Sequence, residues 1–142
     1  MRGLGRIAVP VALAAAALAS QAAAATPSTY TAFQTPSKLI GCFYSSGLGP
    51  TVLRCDTVYH TRWYARRRCA GEYGDAVGMS PRGAARALCV SDTALDPSAP
   101  VLAYGVTRRF GPYTCTSRPS GLRCTNAAGH GWLLSRQRQA LF

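Results

Sequence analysis

The sequence predicts a mainly β fold, a small single domain of antiparallel hairpins stapled by three disulfides. Two observations carry this prediction. The chain contains six cysteines in 142 residues, and an even number of cysteines in a short exported protein is typical of a disulfide framework. Short β-branched and aromatic runs alternate with turns that contain glycine and proline. No metal site is expected, because there is no Cys-x-x-Cys pair and the two histidines lie far apart in sequence.

The first 25 residues have the pattern of a secretory signal peptide. Arg2 and Arg6 precede an unbroken small and apolar run over residues 7–19, and residues 20–25 offer several small-x-small cleavage sites. The apolar run is too short and too rich in alanine for a good membrane span. Cleavage after Ala25 leaves 117 residues, which is enough for one small domain. We therefore expect a secreted or cell-envelope protein without a membrane span.

Beyond residues 1–25, the signal peptide, the sequence predicts two regions. Residues 26–35 are rich in threonine, serine and proline and are predicted to form a flexible leader. Residues 36–142 are predicted to form the disulfide-stapled β domain. The first cysteine is Cys42, far from the cleavage sites, so a lipid anchor there is not expected.

The most specific local pattern is a hairpin turn over residues 118–121, which read Arg-Pro-Ser-Gly. Proline fits position i+1 of a type I turn, serine fits i+2 and glycine fits i+3. If Arg118 faces Gly121, counting outwards along the ladder places Cys115 opposite Cys124. The two cysteines then form a non-hydrogen-bonded pair with Cα atoms about 4.5 Å apart, near the short end of the range that a disulfide tolerates.

A second stapled hairpin is predicted closer to the start of the domain. Residues 36–44 and 51–59 are β-like, and the glycine- and proline-containing residues 47–50 form the turn between them. This arrangement sets Cys42 opposite Cys55.

The remaining two cysteines, Cys69 and Cys89, are predicted to pair by elimination. The later cysteines of the three pairs are spaced 34 and 35 residues apart, and Leu-Arg-Cys occurs twice, at residues 53–55 and 122–124. The spacing suggests three related stapled units. The alternative is coincidence, because the flanking sequences match poorly.

The other elements follow from composition and from helix and turn signals. Ser80 as N-cap and Pro81 at the first helical position predict a short helix over residues 82–88. Strands are predicted over residues 101–106 and 129–134.

The mature chain is strongly basic. It keeps 14 of the 16 basic residues and all five acidic residues, a formal charge of +9. Two clusters are candidate anion-binding residues: Arg66, Arg67 and Arg68, and Arg108 with Arg109. A basic surface suits an anionic polymer, and Trp63 and Tyr64 precede the first cluster, as aromatic residues do in binders of single strands. The alternative is a coding bias toward arginine that serves no partner.

His130, which stands between two glycines, and Asp92 are the candidate catalytic residues. Flanking glycines allow a ligand to approach the backbone, and an imidazole titrates near neutral pH. The alternative for His130 is a structural role, in which its ring packs on Trp132 or bonds a carbonyl. Asp92 and Asp56 could form an acid–base pair, or could bond nearby backbone amides.

The sequence contains no established catalytic motif. A Gly-x-Ser-x-Gly elbow, a phosphate-binding glycine loop and a His-Glu-x-x-His pair are all absent, so a Ser–His–Asp set with Ser135 or Ser91 has no motif behind it. No cofactor is expected. We therefore predict a small extracellular binding or interaction module with a basic surface, whose partner is an anionic polymer or an extracellular protein. The alternative is a small secreted enzyme, or an enzyme inhibitor, centred on His130.

Several segments carry a resemblance to a known family. They are Phe33-x-Thr35-Pro36-Ser37 with Ile40-Gly41-Cys42, Leu53-Arg54-Cys55-Asp56 with Trp63, Tyr73-Gly74-x-Ala76, Cys89 with Asp92-Thr93, and Leu102-x-Tyr104-Gly105. The fullest matches are Gly111-Pro112-Tyr113-x-Cys115, Gly121-Leu122-x-Cys124-x-Asn126 and Gly129-His130-Gly131-Trp132-x-Leu134-Ser135-Arg136. Over residues 33–142 the chain resembles a family of secreted bacterial six-cysteine proteins classified only as a domain of unknown function.

The resemblance implies secretion and a shared fold, and it implies no reaction. Such proteins usually carry a Pro-rich link between the tryptophan and the third cysteine, where this chain has Tyr64-Ala65-Arg66-Arg67-Arg68. A function of that link is therefore not carried over to this chain.

Overall fold

The computed structural model describes residues 27–142, which contain ten β-strands and no helix. The predicted signal peptide, residues 1–25, lies outside the described residues. Within the part of the chain that is described, no helix is long and apolar enough to cross a membrane.

The ten strands form two antiparallel sheets of five strands each, which we call the first sheet and the second sheet. In each sheet the strands lie side by side in chain order. The first sheet consists of β1 (Thr29–Gln34), β2 (Ile40–Ser46), β3 (Val52–Thr57), β4 (Glu72–Met79) and β5 (Arg86–Val90). The second sheet consists of β6 (Thr107–Phe110), β7 (Tyr113–Arg118), β8 (Gly121–Thr125), β9 (Gly131–Leu134) and β10 (Gln139–Leu141). The predicted mainly β class is confirmed.

Each sheet has a disulfide between two of its neighbouring strands. Cys42 of β2 faces and bonds Cys55 of β3, and Cys115 of β7 faces and bonds Cys124 of β8. The Cα atoms lie 4.0 and 4.1 Å apart, respectively. The register of the β7–β8 hairpin, in which Arg118 faces Gly121, is the predicted one. Both predicted pairings are confirmed.

The third disulfide, Cys69–Cys89, is of a different kind. It joins the connection between β3 and β4 to the edge strand β5, with Cα atoms 6.2 Å apart. This pairing is the one predicted by elimination. Unlike the other two disulfides, it does not join facing residues of two neighbouring strands. The suggestion of three equivalent units is therefore wrong.

Two equivalent units do exist, and the repeated Leu-Arg-Cys segments mark them. In the first sheet residues 53–55 face residues 77–79 of β4. In the second sheet residues 122–124 face residues 132–134 of β9 in the same register. Each segment therefore lies on the central strand of its sheet, with the disulfide partner on one side and an apolar segment of the next strand on the other.

The inner faces of the two sheets share one hydrophobic cluster, and both hairpin disulfides belong to it. Phe33 of β1 stacks on Phe110 of β6 with ring centroids 4.4 Å apart. The hydroxyl of Tyr113 donates a hydrogen bond of 3.1 Å to the carbonyl of Met79, which fixes the second sheet to the first. The outer faces of the sheets are thus the surfaces that remain for loops, solvent or a partner.

The prediction of a flexible leader over residues 26–35 is wrong for residues 29–34, which form β1. β1 pairs with β2 along its length and buries Phe33 in the core. The side-chain amide of Gln34 donates to the carbonyls of Pro97 and Ala99 at 3.0 and 2.7 Å. The threonine and aromatic residues of this segment suit a strand, and pairing with β2 outweighs its low local hydrophobicity.

The predicted helix over residues 82–88 is also wrong. Ser80 does accept a hydrogen bond from the Gly83 N–H at 3.0 Å, as an N-cap would. The chain then turns and enters β5 at Arg86. A seven-residue helix is marginal on its own, whereas β5 gains a ladder with β4 and the disulfide at Cys89.

The predicted strand over residues 101–106 reduces to one bridging residue. Val101 forms an isolated parallel bridge to Gln34. The chain then turns at Gly105, whose φ of 83° lies in the left-handed region, and the strand begins only at Thr107. The short strand β10, which pairs with β9, was not predicted.

Candidate functional site

Charged residues are unevenly divided between the two sheets. Residues 97–142, which include the whole second sheet, contain six arginines and no acidic residue. All five acidic residues therefore lie before residue 97. Of the 14 lysine and arginine side chains in the described chain, only Arg54 forms a salt bridge there. The strands of the second sheet thus carry positive charge that no carboxylate of their own offsets.

Arg54 gathers two carboxylates on the outer face of the first sheet. Its side chain is 9 % exposed, and its Nε and Nη2 donate to the two carboxylate oxygens of Asp56, each at 2.8 Å. Its Nη1 donates to the Asp92 carboxylate at 2.8 Å, and this hydrogen bond and the charge of Arg54 lower the pKa of Asp92. Asp56 also accepts the Ala94 N–H at 2.9 Å. The network fastens the loop after β5 over β3.

A cavity of about 470 Å³ beside this network is lined by four of the five acidic residues: Asp56, Glu72, Asp75 and Asp92. Asp56 and Asp92, the predicted acid–base pair, do come together, but both bond the same guanidinium. Their arrangement is that of a structural ion network. Among residues 27–142, no group of three or more His, Cys, Asp or Glu is placed to hold a metal ion.

His130 lies in the turn between β8 and β9, and its backbone hydrogen bonds stabilise that turn. Its N–H donates to the side-chain oxygen of Asn126 at 3.0 Å, and its carbonyl accepts the Asn126 N–H at 2.8 Å. A Cβ on Gly131 would lie 1.9 Å from the Cys124 carbonyl oxygen, so the backbone approach needs glycine. The cavity that Asp92 lines does not include His130. The two candidate catalytic residues are therefore not brought together.

His60, which was not among the residues singled out from the sequence, has a carboxylate partner in the structure. Its Nδ1 lies 2.5 Å from Asp75 Oδ2, and the other oxygen of Asp75 accepts the Thr61 N–H at 2.9 Å. The imidazole also stacks on Tyr64 with ring centroids 3.6 Å apart. No sequence spacing marks this pair. It forms because the connection after β3 folds back on β4 at Gly74, where a Cβ would meet the backbone of the connection.

The arginine clusters predicted from the sequence lie in two different settings. Residues 66–68 are exposed in the connection between β3 and β4, and the Arg67 guanidinium lies 5.9 Å from the Tyr73 ring centroid. Arg108 and Arg109 are exposed on the edge strand β6 but point to opposite sides of it. Arg108 covers the Phe110 ring at 5.1 Å. Only Arg109 shares the outer face of the second sheet.

That outer face is built from threonine and arginine. Strand alternation turns every second residue of β6, β7 and β8 away from the core. The burial pattern shows this for β7 and β8, and pairing with β7 assigns the faces of β6. The residues on this side, which we call the Thr/Arg face, are Thr107, Arg109, Thr114, Thr116, Arg118, Arg123 and Thr125.

Cross-strand pairs set the spacing within the Thr/Arg face. Thr116 lies between Thr107 and Arg123 in the ladder, and the two threonine hydroxyls are 2.8 Å apart. Arg118 is the diagonal neighbour of Arg123, which places their Cα atoms roughly 7–8 Å apart. A depression of about 320 Å³ lies between these two arginines. A count of acidic residues along the sequence could have shown that residues 97–142 contain none. Only strand pairing shows that Arg109, Arg118 and Arg123 share a face.

A model of a family of unknown function, DUF6636, matches residues 9–142. No curated protein and no solved structure gives a significant match.

Proposed function

The chain belongs to the DUF6636 family of unknown function, and we propose that it is a small extracellular binding module whose Thr/Arg face binds anionic polymers. The observation that carries this proposal is the charge division between the sheets. Six arginines and no acidic residue lie in residues 97–142. A basic surface that no carboxylate offsets raises the local concentration of polyanions and speeds their association.

The chemistry of the Thr/Arg face suits a repeating anionic ligand. Guanidinium groups bind carboxylate, sulfate or phosphate oxygens through two parallel hydrogen bonds. Threonine hydroxyls between them donate or accept further hydrogen bonds. Because Arg109, Arg118 and Arg123 lie on three adjacent strands, the face offers several contacts to one extended chain rather than a single ion site.

The fold holds this face rigid. Cys115 and Cys124 lie on the core side of β7 and β8, between residues of the Thr/Arg face on the same strands. Their disulfide fixes the two central strands against each other directly behind the arginines. A rigid face loses less conformational entropy when it binds.

The extracellular setting is part of the proposal. Three disulfides suit an oxidising compartment, and the first 25 residues have the pattern of a signal peptide. Intact-mass and thiol analysis of exported protein tests both points. A chain that starts near Thr26 without a free thiol is expected, and a retained N-terminus or six reactive thiols would overturn this setting.

The binding experiment compares two triple variants of equal charge. R109Q/R118Q/R123Q removes three guanidinium groups from the Thr/Arg face, and R66Q/R67Q/R68Q removes three from the exposed connection. We expect the face variant to lose at least tenfold in affinity for a sulfated polysaccharide. The connection variant should lose only the affinity that is due to the overall change of three units in net charge. Circular dichroism and thermal unfolding check that both variants keep the fold.

Salt dependence sharpens the same comparison. With duplex DNA as the probe, each arginine–phosphate contact adds about 0.9 to the slope of log affinity against log salt. The face variant should therefore flatten that slope by roughly 2–3, and the connection variant should change it by less. Equal loss of affinity in both variants would show that net charge alone binds the polymer, and the proposal would fail.

A further inference from the structure

A second basic cavity lies at one end of the molecule, where three turns meet. We call it the end groove. It has a volume of about 340 Å³, within the range of small-ligand sites. Its walls come from the β1–β2 turn at Ser37 and Leu39, the β7–β8 turn at Arg118, and the β9–β10 turn at Arg136 and Gln137. Arg118 also borders the depression on the Thr/Arg face, so the two sites are continuous.

The end groove selects for negative charge. Arg118 and Arg136 are its only charged lining residues among those described, and neither forms a salt bridge there. Both are exposed. Two guanidinium groups without a carboxylate provide a site for one carboxylate or sulfate.

The rest of the lining suits a ring that bears hydroxyl groups. Tyr104 is 45 % exposed and offers a flat aromatic surface beside Leu39, while Ser37 and Gln137 can donate and accept hydrogen bonds. Recognition by a few polar groups around an apolar floor is the usual form of a small-ligand site.

Tyr59, which is half-buried, forms the wall of the groove under Arg136. The Arg136 guanidinium lies 5.9 Å from the Tyr59 ring centroid, and the Tyr59 hydroxyl is buried without a hydrogen-bond partner among the described residues. Burial raises the pKa of Tyr59 to about 12, although the Arg136 charge opposes the shift. The phenol is neutral at physiological pH, as an ordinary tyrosine is, so it does not offset the charge of Arg136.

These features favour an acidic sugar over a nucleic acid strand. Proteins that hold single strands stack successive bases on several aromatic rings. The Thr/Arg face next to the groove contains no aromatic residue, and Phe142 beyond it is covered by Arg123 at 4.7 Å. We infer that the end groove binds a sugar ring bearing a carboxylate, as one residue of the polymer that the Thr/Arg face holds. The inference rests on the proposed function, because it names the ligand class for the same basic surface.

The test is an NMR titration of the ¹⁵N-labelled protein with three probes. They are a glucuronate-containing tetrasaccharide, the same tetrasaccharide with its carboxylates reduced to alcohols, and inorganic sulfate. We expect the acidic tetrasaccharide to shift the amides of Ser37, Tyr104 and Gln137 and to bind at least tenfold more tightly than either other probe. If sulfate binds as tightly, the groove is only an anion site. If the reduced sugar binds as tightly, charge plays no part. Either result, or no binding, overturns the inference.

Matched variants locate the binding. Arg136→Gln and Tyr104→Ala should each weaken tetrasaccharide binding at least tenfold. Arg138→Gln is the control, because Arg138 lies two residues further along the same turn and does not line the groove. Equal loss in the control would overturn the assignment.

A further variant separates this inference from the proposed function. R109Q/R123Q alters the Thr/Arg face without touching the groove. It should weaken binding of the long polymer far more than binding of the tetrasaccharide, because the groove-lining residues Arg118 and Arg136 are kept. If the long polymer still depends on the Thr/Arg face while the tetrasaccharide does not bind, the groove assignment fails and the proposed function stands.

Discussion

Arg54 and Arg123 occupy equivalent positions in the two sheets, and their surroundings are opposite. Each is the middle residue of a Leu-Arg-Cys segment on a central strand, and each side chain points to the outer face. Arg54 is almost fully buried and holds two carboxylates, whereas Arg123 is exposed and rests on the Phe142 ring. The same local sequence thus gives a buried ion network in one sheet and an open basic surface in the other.

The difference arises from the chain that follows β5. Residues 91–95 cross the outer face of the first sheet and bring Asp92 to Arg54. A Cβ on Gly41 would lie 2.9 Å from the Ala94 carbonyl oxygen, so this close crossing needs glycine. No acidic side chain is available to do the same in the second sheet, because residues 97–142 contain none. A shared strand framework therefore leaves the outer face of the first sheet covered by a loop and that of the second sheet exposed.

Removing the two equivalent arginines should give the largest difference between the sheets. Arg54→Met leaves the buried Asp56 carboxylate without its partner, which costs roughly 3–5 kcal/mol in the free energy of unfolding. Arg123→Met removes an exposed cation–π contact, which costs no more than about 1 kcal/mol. Denaturant unfolding monitored by tryptophan fluorescence measures both.

The double variant R54M/D56L is the control for Arg54→Met. Because it removes both charges, it should recover part of the stability that the single variant loses. If Arg54→Met and Arg123→Met cost the same free energy, the two positions would not differ in the way the structure indicates.

Removing each hairpin disulfide in turn tests whether the two stapled hairpins are structurally equivalent. C42A/C55A and C115A/C124A should each lower the free energy of unfolding by about 3 kcal/mol, because each releases a short loop in the unfolded chain. The losses should be similar, since both disulfides are fully buried and lie in equivalent hairpins. Thermal and denaturant unfolding measure them. A loss confined to one sheet would contradict the equivalence of the two units.

Acid should act through carboxylates that precede the second sheet, and with the smallest effect of the three changes. Arg54 lowers the pKa of Asp92 in the folded protein, so this carboxylate contributes stability above its ordinary pKa, and the contribution is lost as pH falls through the lowered value. Asp92→Asn should therefore reduce the fall in unfolding midpoint between about pH 5 and pH 2. Part of the fall should remain, because a hydrogen bond from Ser98 lowers the pKa of Asp96 as well. An unchanged pH profile in Asp92→Asn would contradict the pairing.

The stapled hairpins could be predicted from the sequence because their information is local. The Pro-Ser-Gly turn after Arg118 fixes the register, and the register then sets Cys115 opposite Cys124. β1 could not be recognised in this way. Its threonines suggest a leader, and only the pairing with β2 and the burial of Phe33 against Phe110 make it a strand.

The charge arrangement shows a second limit of local reasoning. Strand alternation puts Arg54 and Asp56 on the face opposite Leu53, but the sequence cannot show that a loop 38 residues away buries them. The pair formed by His60 and Asp75 is likewise made by a fold-back of the connection onto β4. By contrast, the absence of acidic residues from residues 97–142 can be read from the sequence alone. Only the boundaries of the second sheet are needed to show that this absence leaves the sheet basic.

The most direct test of a binding face on the second sheet is arginine footprinting. The protein is treated with an arginine-specific dicarbonyl reagent with and without a sulfated polysaccharide, and mass spectrometry gives the modification of each arginine. The account predicts that the polymer protects Arg109, Arg118 and Arg123, while Arg62 and Arg82 outside the second sheet stay reactive. Equal protection of all exposed arginines, or protection centred on residues 66–68, would contradict it.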